Sequence, residues 1–432
     1  MIYLVTKQTN LQDDSYEIIS VEESLKILES LTIVGLDTET TGLNCHKDKL
    51  LSVQLGCKKF QVVIDCTTID IQEYKSYLES DRVFILWNAK FDLKWLYRYH
   101  IVPKNVYDGF LAEKIMWLGY PIVLTVDMWN NIKCDRYDYF PGDSKKDTEA
   151  HYKLQMNLKK AGEMYLGVEL DKSVRGKIIY LGLTPETIAY SANDVKYLED
   201  IKNCQEKLLK EKGLMLAMSY SNKFILALAY MEFCGVKVDI NKWIAKMNKD
   251  NEQLESYKKQ IDEWLIKNDP TSPYITINRQ GNLFEGFDLS PKVTVNWKSS
   301  QQVIPIFKKF GVNLEVLDKK TKKNKDSIDI KVLAPQKDKC SLIPLYIKYK
   351  EMEKQRSSFG ENILKQIDKE SGRLYSRFNP FGTDTCRISS GGKDKAKGIE
   401  YINLLNLPSD AETRACFIAE EGNKWISIDY SG

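Results

Sequence analysis

The chain has 432 residues, 43% of them hydrophobic and 28% charged, with a formal net charge of +3. That is too long for one ordinary core, so two or three domains are expected, and no apolar run is long enough for a membrane-spanning helix. Nine scattered cysteines without a C-x-x-C pair, and only three histidines (His46, His100, His151), argue against a disulfide framework, a zinc site or a Ser-His-Asp triad.

The N-terminal stretch MIYLVTKQTNLQDDSYEI lacks the basic start and apolar core of a signal peptide. Short apolar runs at 33–37 (IVGLD), 50–56 (LLSVQLG), 60–65 (FQVVID) and 83–87 (VFILW) read as strands, the first three spaced like a meander. Helical patterns follow at 91–99 and 110–118, giving an α/β layout. Residues 130–150 are polar and aromatic and read as a loop-rich insertion. A helix starts at TPET (184–187), where Pro185 suits the first turn, and runs through YSANDVKYL (190–198).

From about 205 to 265 the pattern is helical, and Asp269-Pro270 and Ser272-Pro273 break it. A less regular segment holds ten lysines between Lys292 and Lys331, five of them within 319–325. Such a run suits either a solvated loop or sequence-blind contact with a phosphate backbone. A further helix spans 345–359. After ESGR (370–373) strand signals return, and the run WISI (425–428) reads as a strand presenting Asp429.

Three short stretches carry the chemistry. In GLDTETTG (35–42), Asp37 and Glu39 are i and i+2 on a strand and share a face. In NAKFD (88–92), Asp92 stands at the start of a helix, and in YSAND (190–194), Tyr190 and Asp194 are i and i+4 on one helix face. Singly, each is as ordinary as a surface pair, a helix-start acid or an amphipathic helix. Together they are four acids and a tyrosine on elements that can converge. Four carboxylates suit hard Mg²⁺ or Mn²⁺, and two such ions about 4 Å apart can drive phosphodiester hydrolysis without a histidine base.

These stretches resemble the three motifs of the DEDD 3′→5′ exonucleases of the tyrosine-containing subclass, with all five key positions filled. The resemblance implies an RNase H-like fold and two-metal removal of nucleotides from a 3′ end. Asp37, Glu39, Asp92 and Asp194 would hold the metals and Tyr190 would orient the nucleophile, with Thr38, Leu43 and Phe91 shaping the terminal-nucleotide site.

Downstream, FGTDTCRISS (381–390), NLLNLP (403–408), RACFIA (414–419) and IDYS (428–431) resemble, in order, the entry to the palm of family A, DNA polymerase I-like enzymes. VNWKSSQQ (295–302) resembles a thumb motif, KTKKNKDS (320–327) the basic thumb loop, and KEMEKQRSSF (350–359) the helix leading to the palm. The chain departs from the family where Cys386 replaces a glycine and Leu405 a glutamine.

The resulting expectation is an RNase H-like α/β exonuclease domain over 1–205, a mainly helical thumb-like region over 206–370 with its basic loop near 319–325, and the start of a palm over 371–432. Lys350, Lys354, Arg356, Thr385, Arg387, Asn406 and Arg414 are the candidate DNA contacts. Asp429 resembles the first catalytic aspartate of the polymerase site. With that site incomplete, nucleotide addition by this chain alone is not expected. The implied partners are a single-stranded DNA 3′ end, a primer–template duplex and a polypeptide supplying the rest of the palm and fingers, in the cytoplasm of a bacterial or phage-infected cell. A free-standing RNase D-like RNA exonuclease and a non-catalytic DNA-binding subunit of a split polymerase are the competing readings.

Overall fold

In the computed structural model, which describes residues 1–143, 149–170, 174, 176–277, 290–317, 323–383, 385–394, 399–426 and 428, the meander expected from the apolar runs forms the centre of one sheet. Its strands are β1 (Ile2–Val5), β2 (Glu17–Ile18), β3 (Ile33–Thr40), β4 (Leu50–Gly56), β5 (Gln61–Asp65), β6 (Val83–Leu86) and β7 (Asn105–Asp108), in the order β2-β1-β5-β4-β3-β6-β7. β3, β4 and β5 are antiparallel, and every other pairing in the sheet is parallel. This is the RNase H-like arrangement that the resemblance implied. β4 and β5 are buried along their whole length, as befits central strands covered on both faces.

The sheet belongs to the first of two compact units, made of residues 1–235 and 377–390; the second comprises 236–376 and 391–432. The first unit therefore takes in helix Met215–Cys234, which packs on helix Lys90–Arg98 and ends where Gly235 enters a positive φ of 59°.

Two stretches differ from the sequence reading. The N-terminal run supplies β1 and β2, which extend the sheet beyond the meander. Within residues 130–150, expected to be loop-rich, lies strand β9 (Tyr137–Phe140), which joins the flanking strands β8 (Val123–Thr125) and β10 (His151–Leu154) in a small antiparallel sheet ordered β8-β10-β9. This sheet is held by an aromatic cluster: Trp129 stacks on Tyr152 with ring centroids 4.2 Å apart. Arg136, fully buried, pairs with Glu113 and fastens the insertion to helix Gly109–Met116.

In the second unit, helices Ile240–Asn268 and Leu342–Gln366 run alongside each other. Trp243 donates to the Gly360 carbonyl (3.1 Å) and Trp264 to Ser341 Oγ (2.8 Å), so the two helices are antiparallel. Backbone torsions at Gly360 are non-helical, and the Trp243 indole satisfies the carbonyl freed at that kink. Trp297, from the thumb-like stretch, is buried beneath this pair. It donates to Asp262 (2.7 Å), and its carbonyl accepts from Tyr346 (3.1 Å). The strand signals after 370 form only two- and three-residue strands. Trp425, Ile426 and Ile428 are exposed and lie in no strand; Ser427 and Asp429 fall outside the described residues. An extended run without a paired neighbour has little to hold it in a sheet. Among the described residues no helix is long and apolar enough to cross a membrane.

Candidate active site

β3 and helix Pro185–Lys196 build the centre of the site. The helix starts sharply because Thr184 and Thr187 form a reciprocal cap and Pro185 occupies the first turn. It lies close to the sheet because position 35 is glycine: a β-carbon there would sit 2.7 Å from the Val195 carbonyl oxygen. That approach brings Asp194 to the acids of β3. Carboxylate oxygens of Asp37, Glu39 and Asp194 all lie within 4.8 Å of one another, with Glu39 and Asp194 buried. Tyr190, one turn before Asp194, is buried on the same helix.

Three acids this close in a partly desolvated cleft, offering only oxygen, form a donor set suited to a hard divalent cation. The residues present thus fit the metal that the motifs imply.

Asp92 is not part of this three-carboxylate group. It is 2% exposed and accepts a 2.6 Å hydrogen bond from Thr38 Oγ1. Thr38 lies between Asp37 and Glu39 on β3, so strand alternation turns it to the other face. Burial pushes the Asp92 carboxyl up to about 7; the Thr38 hydroxyl opposes that rise and nearby Asp108 adds to it.

Asp108 is a residue that the motif reading missed. Its carboxylate accepts from the main-chain N–H groups of Asn88 (2.9 Å), Ala89 (3.0 Å), Phe110 (3.0 Å) and Leu111 (3.3 Å). It thereby caps helix Gly109–Met116 and fixes the turn that delivers Asp92, where Asn88 adopts a φ of 70°. Burial raises its pKa and the four N–H donors pull against that. The signal was available as an aspartate directly before a helical apolar pattern.

The remaining candidates fall in both units. Phe91 stacks edge-on against Trp95, and Leu43 is exposed. In the first unit, Thr385 and Arg387 are exposed on a hairpin whose strands are Phe378–Asn379 and Ser389–Ser390. The Thr383 hydroxyl accepts from the Arg387 amide (3.0 Å). In the second unit, Lys350 is directed inward: its ammonium donates to the Ile328 carbonyl (3.0 Å), and burial lowers its pKa. One helical turn on, Lys354 is exposed, and Arg356 lies 3.6 Å from Glu353. Asn406 and Arg414 are exposed. Asp429 and residues 319–322 of the lysine run lie outside the described residues.

Comparison with known proteins finds two successive matches along the chain. Residues 16–210 match the 3′-5′ exonuclease family model and residues 285–432 that of DNA polymerase family A. The chain is 27% identical to the DNA polymerase I of Aquifex aeolicus over 95% of its length, and 24% identical to that of Borreliella burgdorferi over 96%. It spans 60% and 40% of those two relatives. Among solved structures, the POL domain of Pol1 from M. smegmatis, in complex with DNA primer-template and dNTP, shares its fold. The TM-score is 0.59 at 14% identity, covering 97% of this chain and 59% of that one. The site motifs, the sheet that assembles them and these matches agree on one organisation: a segment that matches the 3′-5′ exonuclease family, followed by a segment that matches DNA polymerase family A.

Proposed function

We propose that this chain removes nucleotides one at a time from DNA 3′ ends, in the manner of a proofreading exonuclease. The observation that carries the reading is the convergence of Asp37, Glu39 and Asp194, with oxygens within 4.8 Å, beside buried Tyr190. In this reading water attacks the terminal phosphorus, the bond to the preceding 3′ oxygen breaks, and a 5′-mononucleotide leaves. Divalent ions, Mg²⁺ or Mn²⁺, would be held by Asp37, Glu39 and Asp194, and a second ion would also draw on Asp92, which must then give up its proton and its bond to Thr38; when bound, the ions would stabilise the charge that develops on the phosphoryl oxygens. The Tyr190 hydroxyl orients the attacking water. In the metal-free chain Thr38 holds Asp92, and Asp108 holds the turn that carries it. The polymerase-family segment would grip primer–template DNA through Arg387, Thr385, Lys354, Arg356, Asn406 and Arg414.

The test is release of mononucleotides from 3′-labelled single-stranded DNA and RNA with Mg²⁺ or Mn²⁺. Hydrolysis of DNA by the wild type, reduced about 10²–10³-fold or more in Asp37→Ala, supports the reading. Preference for RNA ends would turn it towards an RNA trimmer, and well-folded protein without hydrolysis would overturn it.

A further inference from the structure

A buried charge cluster ties the hairpin to the exonuclease helix. Glu232, near the end of helix Met215–Cys234, is 6% exposed and has both carboxylate oxygens engaged. One pairs with the Lys90 ammonium and also accepts from the Phe378 amide (2.8 Å); the other pairs with Lys94 (2.9 Å). Lys90 in turn donates to the Phe378 carbonyl. Both main-chain polar groups of Phe378 are thus bound by two side chains of the exonuclease unit. Phe378 opens the hairpin that presents Thr385 and Arg387, while Lys90 sits two residues before Asp92 on the same helix.

The cluster is not a generic stabilising bridge. Two lysines, one buried and one partly exposed, share one buried glutamate, an arrangement that apolar residues can often replace without loss of stability. What apolar residues could not supply is the pair of directional bonds to Phe378, which set where the hairpin starts. Burial pushes the Glu232 carboxyl up, but Lys94 and Lys90 outweigh it and hold it below the usual range. Lys90 is lowered chiefly by burial, with Lys94 and Arg377 adding to the fall.

We propose that Glu232 is a positioning residue: by binding Phe378 it fixes the hairpin that presents Thr385 and Arg387 to the exonuclease unit, so that the grip of Arg387 on duplex DNA is coupled to the helix that carries Asp92. The inference rests on the exonuclease reading above and adds a positioning residue to it. DNA gripped by Arg387 would be held by an element fixed, through Glu232 and Lys90, to the helix bearing Asp92.

The test compares wild type, Glu232→Gln, Arg387→Ala and their combination on two substrates: a primer–template with three mismatched 3′ nucleotides, and a single-stranded trinucleotide. Affinity for the primer–template is also measured by fluorescence anisotropy in chelator, which needs no hydrolysis. Glu232→Gln is expected to raise Kd and KM for the primer–template about tenfold more than KM for the trinucleotide, with little change in kcat. The combined variant should bind no more weakly than Arg387→Ala alone, and the amides of 378–390 should exchange faster with deuterium. Equal losses on both substrates, unchanged Kd, or additive losses in the combined variant would overturn the proposal. If Glu232→Gln fails to fold, Lys90→Met/Glu232→Leu removes the buried charges and carries the same comparison. Absence of hydrolysis in the wild type would sink the exonuclease reading, while the anisotropy series would still decide whether Glu232 acts through the hairpin.

Discussion

At the scale of single residues, Asp92 and Cys386 are each held in a state their chemistry resists. With its pKa raised to about 7, Asp92 keeps a proton in the folded chain that the unfolded chain releases near its ordinary value of 3.8. Between about pH 4 and 7 the folded state therefore binds more protons, so this group's contribution to stability is full below that window and is lost as pH rises through it. Asp92→Asn is expected to flatten that slope and to raise metal-free stability at pH 8 by on the order of 1–3 kcal/mol, while hydrolysis falls. Denaturant titrations in chelator at pH 5 and pH 8 measure the first effect, and the nucleotide-release assay the second. Cys386 occupies a φ of 60°, a left-handed conformation, at the position where the family has glycine. Its side chain is exposed. Cys386→Gly should relieve that conformation and raise stability by about 0.5–1 kcal/mol, read as a shift in denaturant midpoint.

At the scale of elements, the site depends on how closely one helix approaches one strand. Gly35→Ala would drive a methyl against the Val195 carbonyl, and overpacking of this kind costs about 1–3 kcal/mol. Because the displaced helix carries Asp194 and Tyr190, the expected outcome is a loss of hydrolysis larger than the loss of stability alone explains, with divalent-ion affinity weakened. Calorimetric titration of the ion checks this. Asp37 with Glu39, and Tyr190 with Asp194, were legible because each pair sits within one turn or one strand repeat. The meander was legible from its apolar runs. The bond from Thr38 to Asp92 joins residues 54 apart, and that from Lys90 to Glu232 joins residues 142 apart; no local period encodes either. The strands of this small sheet were hidden because each is only three or four residues long and an aromatic cluster, not a continuous apolar face, supports them. Lys350 looked like a surface cation because helical spacing shows which face a residue shares, not that a carbonyl waits beneath it.

At the scale of the whole molecule, two units with separate cores should lose structure separately. Asp37, Glu39 and Asp194 lie in the first. A divalent ion at 100 times its dissociation constant should stabilise that unit by about 2.7 kcal/mol and leave the other unaffected. Scanning calorimetry with and without Mg²⁺ should show one transition moving and one fixed; a single transition that moves as a whole would refute this. The discontinuity of the first unit also has a consequence in time. Its second piece ends at Ser390, about 155 residues after Gly235 (390 − 235). At roughly 5–20 residues per second, a ribosome takes on the order of 10–30 seconds to traverse that gap. Until Phe378 is made, for most of that time, the nascent chain carries Glu232 and two lysines with no Phe378 main chain to receive them. Emergence of the hairpin, rather than of the last exonuclease motif, is thus the event that closes this unit during synthesis.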